Sequence, residues 1–307
     1  MTEPLSSPQS KKCAFIALVG APNAGKSTLL NRLIGSKISI VSPKVQTTRN
    51  VITGICIEGD AQLVFFDTPG IFTPDTSHRL EKAMVSAAWN QMDEGDMLCL
   101  LVDAPRANSE NTKLIIQALK DKHKKAILVL NKIDLIDKAK LLELASQFHA
   151  EGVFTDIFMV SATTGDGVSD LRKFLAKNAP ISPWMYPEDQ LSTAPQRFIA
   201  SEITREKLFI FLHKELPYHL TVVTDQYEER PKDVKIYQTI YVTKESHKKI
   251  VLGQKGQLIK QIGEKSRKDL EAIIGCKVHL FLFVKVRENW LENPEFYHYM
   301  GLEKPEK

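Results

Sequence analysis

One glycine-containing stretch, residues 20–27, constrains the fold of this chain more than any other feature of its sequence. It reads G-A-P-N-A-G-K-S and fits the phosphate-binding pattern G-x-x-x-x-G-K-[ST]. The apolar run 15–19 before it predicts a buried strand, and residues 28–34 after it have helical spacing that ends at Gly35. Glycines let backbone N–H groups wrap around phosphate, and a helix N-terminus adds partial positive charge. The strand–loop–helix order therefore predicts a nucleotide-binding α/β domain. The alternative is a glycine turn that matches by chance.

Two side chains at the end of this loop have predicted roles with a nucleoside triphosphate. The Lys26 ammonium would reach the β- and γ-phosphates, and the Ser27 hydroxyl would bind Mg²⁺. A second turn, D-T-P-G, follows the apolar run 63–66, although the same four residues also suit an ordinary turn. Its Asp67 would hold Mg²⁺ directly or through water, and the Gly70 N–H would contact the γ-phosphate. The predicted phosphate-side contacts are Gly20, Ala21, Pro22, Asn23, Ala24, Gly25, Lys26, Ser27, Thr28, Asp67, Thr68, Pro69, Gly70 and Ile71.

Two threonines, Thr47 and Thr48, lie in a long polar loop and are candidates for a switch that closes on Mg²⁺ and the γ-phosphate. Thr48 is the preferred metal ligand and Thr47 the alternative. Two exposed loop threonines without a function are the simpler interpretation. Together with Lys26 and Gly70, Thr48 completes the predicted catalytic set.

The segment N-K-I-D, residues 131–134, is predicted to select the base. The Asp134 carboxylate can accept two hydrogen bonds from the N1–H and N2–H₂ edge of guanine, whereas adenine offers no such pair of donors. Asn131 would reach the other guanine edge, and the Lys132 stem would pack along the base and ribose. The backbone at Ser161 and Ala162 would donate to the guanine O6. A surface turn is the alternative interpretation of an isolated N-K-x-D segment.

Apolar strands alternate with amphipathic helices through the first half of the chain. Strands are predicted at 63–66, 97–102, 125–130 and 157–160, extended segments at 38–41 and 51–57, and helices at 78–92, 111–120, 138–148 and 168–177. This order predicts a mainly parallel sheet with helices on both faces. Ligands bind such sheets at the carboxyl ends of the strands. Every motif named above except the threonine loop lies at such an end.

The second half has a different order of elements. A proline-rich linker is followed by a helix at 201–216, strands at 220–227 and 234–242, helices at 246–252 and 257–274, and a strand at 277–286. Between the last two helices lies G-Q-K-G, residues 253–256, which is a weak motif by itself. Residues 244–268 contain eight basic and two acidic side chains, a net charge of +6 against +4 for the whole chain.

This basic stripe beside G-x-x-G fits a partner with a phosphate backbone. Small glycines would admit the sugar-phosphate chain while adjacent bases lie in an apolar groove, and single-stranded RNA is favoured over duplex because such a clamp reads unstacked nucleotides. A solvated helix face is the simpler interpretation. The predicted RNA contacts are Lys248, Lys249, Gly253, Gln254, Lys255, Gly256 and Lys260, with Ile250, Val251, Leu252, Ile259 and Ile262 as candidates for the groove or for the core.

Composition excludes several classes of protein. The 307 residues, 43% hydrophobic and 25% charged, are ordinary for about two globular domains. The four cysteines form no C-x-x-C pair and predict buried, reduced thiols. No secretion signal, transit peptide or transmembrane span is evident, so we predict a cytoplasmic protein. The predicted domains are a disordered tail at 1–12, a nucleotide-binding domain at 13–178, a linker at 179–198, a smaller α+β domain at 199–290 and a C-terminal tail at 291–307.

These segments together resemble the Era family of bacterial ribosome-assembly GTPases, in the translation-factor-like superclass. The resemblance rests on G-A-P-N-A-G-K-S-T-L-L-N at 20–31, Q-T-T-R at 46–49, F-D-T-P-G-I at 66–71, N-K-I-D at 131–134 and S-A at 161–162. It extends over about residues 13–295, where the second half is similar to a type II KH domain. It implies GTP/GDP and Mg²⁺ as cofactors, and binding to the 3′ end of 16S ribosomal RNA during maturation of the 30S subunit. It also implies a monomer with weak peripheral association with the cytoplasmic face of the inner membrane.

Two positions bear on how such a GTPase would hydrolyse GTP. Ile71 stands where many GTPases carry the glutamine that orients the attacking water, and an isoleucine has no hydrogen-bonding group. The resemblance therefore predicts slow intrinsic hydrolysis. Asn23 matches an asparagine that binds K⁺ in some relatives, and a loop-stabilising asparagine is the alternative.

Three other functions remain open at this point. The chain could be a nucleotide-gated RNA-binding assembly factor with little turnover, since Ile71 cannot orient water. The phosphate loop is shared with kinases and ATPases, against which Asp134 argues. A GTPase that acts on another RNA or on a protein is the third possibility.

Overall fold

The computed structural model describes residues 11–74 and 79–303. They form two compact units. The first contains the described residues of 1–36, 51–73 and 85–193, and the second those of 37–50, 74–84 and 194–307. Most of the predicted N-terminal tail, 1–12, lies outside the described residues. Within them, no helix is both long enough and apolar enough to cross a membrane, and all four cysteines are free.

A mainly parallel sheet forms the centre of the first unit. Its strands within the described residues are β1 (Lys12–Gly20), β2 (Ile52–Glu58), β3 (Ala61–Asp67), β4 (Met97–Asp103), β5 (Ala126–Asn131) and β6 (Phe154–Val160). Their order is β2-β3-β1-β4-β5-β6, and β2 alone among them is antiparallel to its neighbour. Gly59, with φ 62°, lies in the turn between β2 and β3. The prediction of a mainly parallel sheet is confirmed.

Amphipathic helices cover both faces of this sheet. They are α1 (Lys26–Ile34), α2 (Arg79–Glu94), α3 (Glu110–Asp121), α4 (Lys138–Ala150) and α5 (Val168–Asn178). The C-terminal part of α2 packs with α3 and α4 on a buried cluster that includes Ala17 and Val19 of β1. Since side chains alternate along a strand, Ile16 and Leu18 point to the opposite face, where α1 and α5 pack. In this unit the phosphate loop, the N-K-I-D segment and the S-A turn each lie between a strand and a helix.

The extended segment predicted at 38–41 does not form a strand in the structure. Residues 37–50 instead pack with the second unit. Ile40 is 3% exposed and belongs to an apolar cluster with Ala200 and Ile203. Alternating apolar residues in a short segment do not show whether they pair in a sheet or fill a cluster, and here they fill a cluster.

The second unit is a small α+β domain. Its elements are α6 (Gln196–Phe211), β7 (Leu220–Glu229), β8 (Asp233–Val242), α7 (Glu245–Leu252), α8 (Gln257–Ile274), β9 (Lys277–Val286) and α9 (Pro294–Tyr299). Among the described residues the sheet order is β7-β8-β9, with β7 antiparallel and β9 parallel to β8. Apolar side chains of α6, α7 and α8 pack against this sheet.

Helix α6 begins and ends earlier than the predicted range 201–216. It starts directly after Pro195, which is the residue that precedes its first turn. The chain leaves the helix at Leu212, and Lys214 has a positive φ of 56°. The turn thus comes several residues before Pro217, the stop that the sequence suggested. A proline marks a boundary, but the chain can turn before reaching it.

Part of the predicted C-terminal tail is folded in the structure. Helix α9 lies inside 291–307, with Phe296 and Tyr297 buried. Trp290, just before it, is fully buried and donates from Nε1 to the His219 carbonyl oxygen at 3.2 Å. The aromatic content of this segment was the available sequence signal, since an exposed tail has no use for buried aromatic side chains.

Candidate functional site

The phosphate loop between β1 and α1 has a backbone shape that only small residues tolerate. Gly20 has φ 155° and Gly25 has φ 95°. A Cβ added at Gly20 would lie 2.4 Å from the Leu101 carbonyl oxygen, and one at Gly25 would lie 2.2 Å from Asn131 Nδ2. Neighbouring strands and loops therefore hold the loop closely from outside.

Lys26 lies across this loop and is only 6% exposed. Its Nζ donates to the carbonyl oxygens of Gly20 and Ala21, both at 3.1 Å. Burial lowers the pKa of Lys26 to about 8, and the Asp67 carboxylate opposes this shift. A phosphate group beside the ammonium would favour its charged form. The pKa of Lys26 would therefore be higher with nucleotide bound than without it.

Ser27 and Asp67 bring two oxygen ligands together at the start of α1. Ser27 Oγ donates to Asp67 Oδ2 at 2.6 Å, and Asp67 is fully buried at the end of β3. Within the described part of the chain there is no cluster of three or more His, Cys, Asp and Glu residues. A hydroxyl and one carboxylate suit Mg²⁺ that takes its other ligands from phosphates and water. This pair fits that ion.

The D-T-P-G turn packs directly on the phosphate loop. Thr68 Oγ1 donates to the Leu18 carbonyl oxygen at 2.8 Å, and the Ile71 N–H donates to the Gly20 carbonyl oxygen at 3.0 Å. A Cβ on Gly70 would lie 2.7 Å from the Pro22 nitrogen. The two turns are thus in van der Waals contact, and Gly70 is the residue that permits it.

Ile71 is turned away from this meeting point. Its side chain is fully buried in the apolar cluster that contains Val19 and Leu100. An apolar side chain in that position is held by the hydrophobic effect and has no group that could hydrogen-bond to water. Only the backbone of Ile71 takes part in the loop contacts described.

Asn131 links three of the predicted segments. It ends β5 and is 1% exposed. Its Nδ2 donates to the Ala24 carbonyl oxygen at 2.8 Å, and its Oδ1 accepts from the Ala162 N–H at 3.0 Å. The side chain therefore ties the phosphate loop to the S-A turn, which is a positioning role that the sequence did not predict. Ser161, beside it, is fully buried and accepts from the Thr164 N–H at 3.1 Å.

Lys132 and Asp134 follow Asn131 at the edge of the sheet. Lys132 has a left-handed φ of 65°, and its Nζ lies 2.7 Å from Asp103 Oδ2. Asp134 is exposed within the 3₁₀ turn Ile133–Leu135. Asp103 ends β4 directly opposite Asn131, so the placement of a carboxylate at that strand end was the signal that could have revealed this ion pair. An exposed carboxylate beside a held lysine can accept hydrogen bonds from a ligand.

Arg32 of α1 also escaped the sequence analysis. Its Nε donates to the Ala162 carbonyl oxygen at 3.2 Å, and its Nη2 donates to the Thr163 carbonyl oxygen. These bonds hold the S-A turn against the helix that follows the phosphate loop. No local pattern in the sequence marks such a partnership across 130 residues.

The two threonines predicted as switch residues, Thr47 and Thr48, lie outside the compact unit that contains the phosphate loop. Residues 37–50 belong to the second unit. Thr47 is 8% exposed. Its Oγ1 lies 2.5 Å from Ser42 Oγ and donates to the Lys44 carbonyl oxygen at 2.7 Å. Thr48 is half-buried.

Two arginines hold this threonine segment within the second unit. Arg205 of α6 donates to the Thr47 carbonyl oxygen at 2.5 Å. Arg49 is 1% exposed and donates to the carbonyl oxygens of Leu220, at 2.8 Å, and Pro217, at 3.1 Å. Burial, with Arg205 nearby, lowers the pKa of Arg49 to about 9. The segment is therefore firmly bonded in this structure.

The G-Q-K-G turn links α7 to α8. Gly253 and Gly256 have φ of 71° and 76°, and Lys255 between them has φ 50°. A Cβ on Gly253 would lie 2.6 Å from Leu258 Cβ, whereas one on Gly256 meets nothing within 4 Å among the described atoms. Gln254 and Lys255 are exposed. The turn is an open backbone surface at a helix N-terminus.

The predicted contacts around this turn separate by exposure. Lys249 and Lys260 are exposed, and Lys248 is half-buried. Of the apolar candidates, Val251 and Ile262 are fully buried core residues, Leu252 and Ile259 are half-buried, and Ile250 is 53% exposed. Ile250 is therefore the apolar side chain available to a ligand beside the turn.

A phosphate loop with a guanine-type N-K-x-D segment, joined to a G-x-x-G domain, defines a GTPase that carries a KH domain. Residues 15–132 match the family model described as 50S ribosome-binding GTPase, and residues 215–291 match the KH domain model. The chain is 52% identical over 301 residues to GTPase Era of Bradyrhizobium diazoefficiens, covering 98% of this chain and 97% of that protein. GTPase Era of Brucella suis is 52% identical over 296 residues, covering 96% and 94%. The chain therefore belongs to the Era family of GTPases.

Solved structures of this family are similar over nearly the whole chain. One is Era in complex with MgGDPNP and nucleotides 1506–1542 of 16S ribosomal RNA, which matches with a TM-score of 0.89 and 38% identity over 95% of this chain and 99% of that one. Another is a variant of Aquifex aeolicus Era bound to GDP and AlF4⁻, with a TM-score of 0.89 and 37% identity over 94% and 99%. They confirm the predicted fold of a P-loop GTPase domain followed by a KH domain.

Proposed function

We propose that this GTPase binds single-stranded RNA at the 3′ end of 16S ribosomal RNA and assists maturation of the 30S subunit. The observation that carries the proposal is the open G-Q-K-G turn, which presents two positive-φ glycines and the exposed Lys255 between two helices. Such a turn lets a sugar-phosphate backbone approach closely. The choice of RNA is supported by the similar Era structure that contains nucleotides 1506–1542.

A pair of glycine substitutions tests this proposal. Gly256 and Gly275 lie at the two ends of α8, with φ of 76° and 80° and no described atom within 4 Å of an added Cβ. Gly256→Asp and Gly275→Asp therefore carry the same backbone penalty, but only the first places a carboxylate in the turn. With the full chain, MgGDPNP and a fluorescent RNA of the 16S 3′ segment, we expect Gly256→Asp to weaken binding at least about tenfold and Gly275→Asp to bind normally. Equal affinity of both variants and the parent would contradict the proposal.

We propose the following roles at the nucleotide site. Lys26 and Gly70 contact the β- and γ-phosphates, Ser27 and Asp67 hold Mg²⁺, and Asp134 accepts the guanine donors. The remaining proposed contacts come from the loop backbone and flanking segments at Gly20, Ala21, Pro22, Asn23, Ala24, Gly25, Thr28, Thr68, Pro69, Ile71, Asn131, Lys132, Ser161 and Ala162. The 2.6 Å Ser27–Asp67 pair and the bonds of Asn131 to Ala24 and Ala162 support this assignment.

Bound Mg²⁺ supplies positive charge that offsets the charge developing on the β–γ bridge. The chain's own contribution is a closely held loop, a buried lysine and a γ-phosphate contact at Gly70. Because Ile71 is in the apolar core, it cannot place the attacking water, and we propose slow intrinsic hydrolysis. Phosphate release by the purified chain alone should be slow. It should rise when 30S subunits are added, because RNA or a partner then completes the site.

We propose that Thr48 binds Mg²⁺ in the GTP state. In this structure the hydrogen bonds of Arg205 and Arg49 hold residues 37–50 in the second unit. The proposal requires that these residues be held less firmly when GTP is bound. Amide exchange of this segment should be faster with MgGDPNP than with MgGDP. Equal exchange in both states would leave Thr47 and Thr48 as structural residues.

We also propose that Asn23 holds K⁺, supported by its place in the phosphate loop with φ 61°. A cation there would offset charge on the breaking β–γ bond. GTP turnover should be several-fold faster in KCl than in NaCl, and Asn23→Ala should abolish this difference. Equal turnover of the parent chain in both salts makes Asn23 a loop-stabilising residue.

The family resemblance further supports a monomer that acts in the cytoplasm, with weak peripheral association with the inner membrane. The four free cysteines suit a reducing compartment. Sedimentation of the purified chain and fractionation of cells at low and high salt would test these proposals separately.

A further inference from the structure

Strand β9 presents two large aromatic side chains on the face of its sheet opposite helices α6, α7 and α8. Leu280, Leu282 and Val284 belong to the apolar clusters on the helix side. Because side chains alternate along a strand, Phe281 and Phe283 point to the other face. They are 41% and 50% exposed, which is unusual for phenylalanine.

The neighbouring strand extends this surface. Tyr237 of β8 is the register partner of Phe281. Their rings are stacked, with centroids 4.7 Å apart and planes 13° apart. We name Tyr237, Phe281 and Phe283 the aromatic face. Stacked, planar and partly exposed rings offer a flat surface to another planar group.

Positive charge surrounds the aromatic face along β9. This strand contains no acidic residue, and its two lysines, Lys277 and Lys285, share the face with the two phenylalanines. Lys235 of β8 is the register partner of His279. The rings therefore lie between cations at both ends of the strand.

The acidic groups near this face lie on β7 and at the start of β8. Asp233 lies 3.7 Å from His279 at the start of β8, and Glu228 pairs with Arg230 at 3.1 Å. Asp225 on β7 accepts from Thr239 Oγ1 at 2.6 Å. The charge gradient across the sheet thus rises from β7 toward β9, which favours an anionic partner on the β9 side.

We infer that the aromatic face is a second RNA-binding surface, which stacks unpaired bases while the flanking lysines contact phosphates. Aromatic platforms edged by basic side chains bind single strands in this way, because every base has a π-face. The surface is distinct from the G-Q-K-G turn, which lies at the junction of two helices on the opposite side of this sheet. The inference rests on the proposed function in that it takes the partner to be RNA.

The test compares two double variants of the full chain. Phe281→Leu with Phe283→Leu keeps apolar side chains and removes the rings, whereas Phe281→Tyr with Phe283→Tyr keeps the rings. Each is measured with an RNA of about six nucleotides, sufficient for a KH turn that reads about four, and with one of about twenty. We expect the Leu pair to weaken binding of the longer RNA about tenfold, the loss of about one base stack, and to leave the shorter unchanged. The Tyr pair should bind both as the parent does.

Photocrosslinking with 5-iodouridine in the longer RNA gives an independent readout. Adducts on Phe281, Phe283 or Tyr237 support the inference. The inference is overturned if the Leu pair binds both RNAs as the parent does. A Leu pair that binds both RNAs normally but associates less with ribosomal proteins would also overturn it, because the aromatic face would then bind protein. Failure of the parent chain to bind the short RNA would instead contradict the proposed function, so the two failures are distinguishable.

Discussion

The two glycine turns of this molecule both place backbone N–H groups at the start of a helix, but they differ in how far the surrounding structure encloses them. In the loop 20–27, Lys26 is 6% exposed and bonded to loop carbonyl oxygens. In the turn 253–256, Lys255 is exposed, and a Cβ on Gly256 meets no described atom within 4 Å. The first suits a small anion of fixed geometry, and the second suits a long flexible polyanion.

This difference predicts how each turn responds to substitution. In an enclosed site, each group acts through fixed geometry in low dielectric, so the loss of one group has a large effect. On an open surface, each cation contributes a similar, screened share of the binding energy. Substitutions should therefore have abrupt effects in the phosphate loop and graded effects around the G-Q-K-G turn.

The largest effect is expected from Lys26→Ala. Removing the buried ammonium should lower kcat/KM for GTP by about 10³-fold, because its charge is directed at the phosphates in a desolvated site. Lys173→Ala, an exposed lysine of α5 in the same unit, is the control and should change turnover less than about twofold. A loss of less than tenfold for Lys26→Ala, with an unchanged melting curve, would contradict the enclosed-site model.

A change of base preference should come next in size. Asp134→Asn replaces two acceptor sites by one acceptor and a donor. GTP affinity should then fall by about 10²-fold, and xanthosine triphosphate, which carries a carbonyl where guanine has its amino group, should bind better than GTP. Competition against a fluorescent GDP analogue measures both. Unchanged preference for GTP would place base selection elsewhere.

The strand-end motifs could be predicted from sequence because each is local and lies where a parallel sheet collects its ligands. The side chains that contact those motifs could not be predicted from sequence. Asp103 pairs with Lys132, and Arg32 holds the S-A turn, through contacts between segments far apart in the chain. The nature of such a contact depends on register and helix placement, which periodicity does not specify.

The segment 37–50 shows the same limit from the other side. Its sequence suggests a solvated switch loop, yet Arg49 and Arg205 bond it into the second unit. Arginine in a polar loop ordinarily indicates an exposed side chain. Here carbonyl oxygens of the irregular turn at 216–220 accept the hydrogen bonds of Arg49. Only the tertiary structure brings these carbonyl oxygens to the arginine.

The third prediction concerns pH. The pKa of Lys26 is about 8 in this structure, and bound phosphate raises it. Below pH 8 the lysine is charged with or without nucleotide, so its protonation adds no pH dependence. Above pH 8 binding requires proton uptake, and the dissociation constant for GTP should rise by up to about tenfold per pH unit. Titration calorimetry in buffers of different ionisation enthalpy measures the uptake. Lys26→Arg, which stays charged, should lack it, and an equal slope in both proteins would refute the assignment.

The smallest effects should come from single lysines in the open turn and in the first turn of α8 beside it, and they sharpen the comparison most. Lys255→Gln or Lys260→Gln should weaken RNA binding only a few-fold. Each should also reduce the slope of log affinity against log salt by about 0.7, the share of one phosphate contact with a single strand. The same salt series should change GTP affinity of the parent far less, because Lys26 acts inside the protein where screening is weak. If one open-turn lysine instead abolished RNA binding with no change in salt slope, that turn would be a fixed-geometry site like the phosphate loop, and the contrast between the two would be lost.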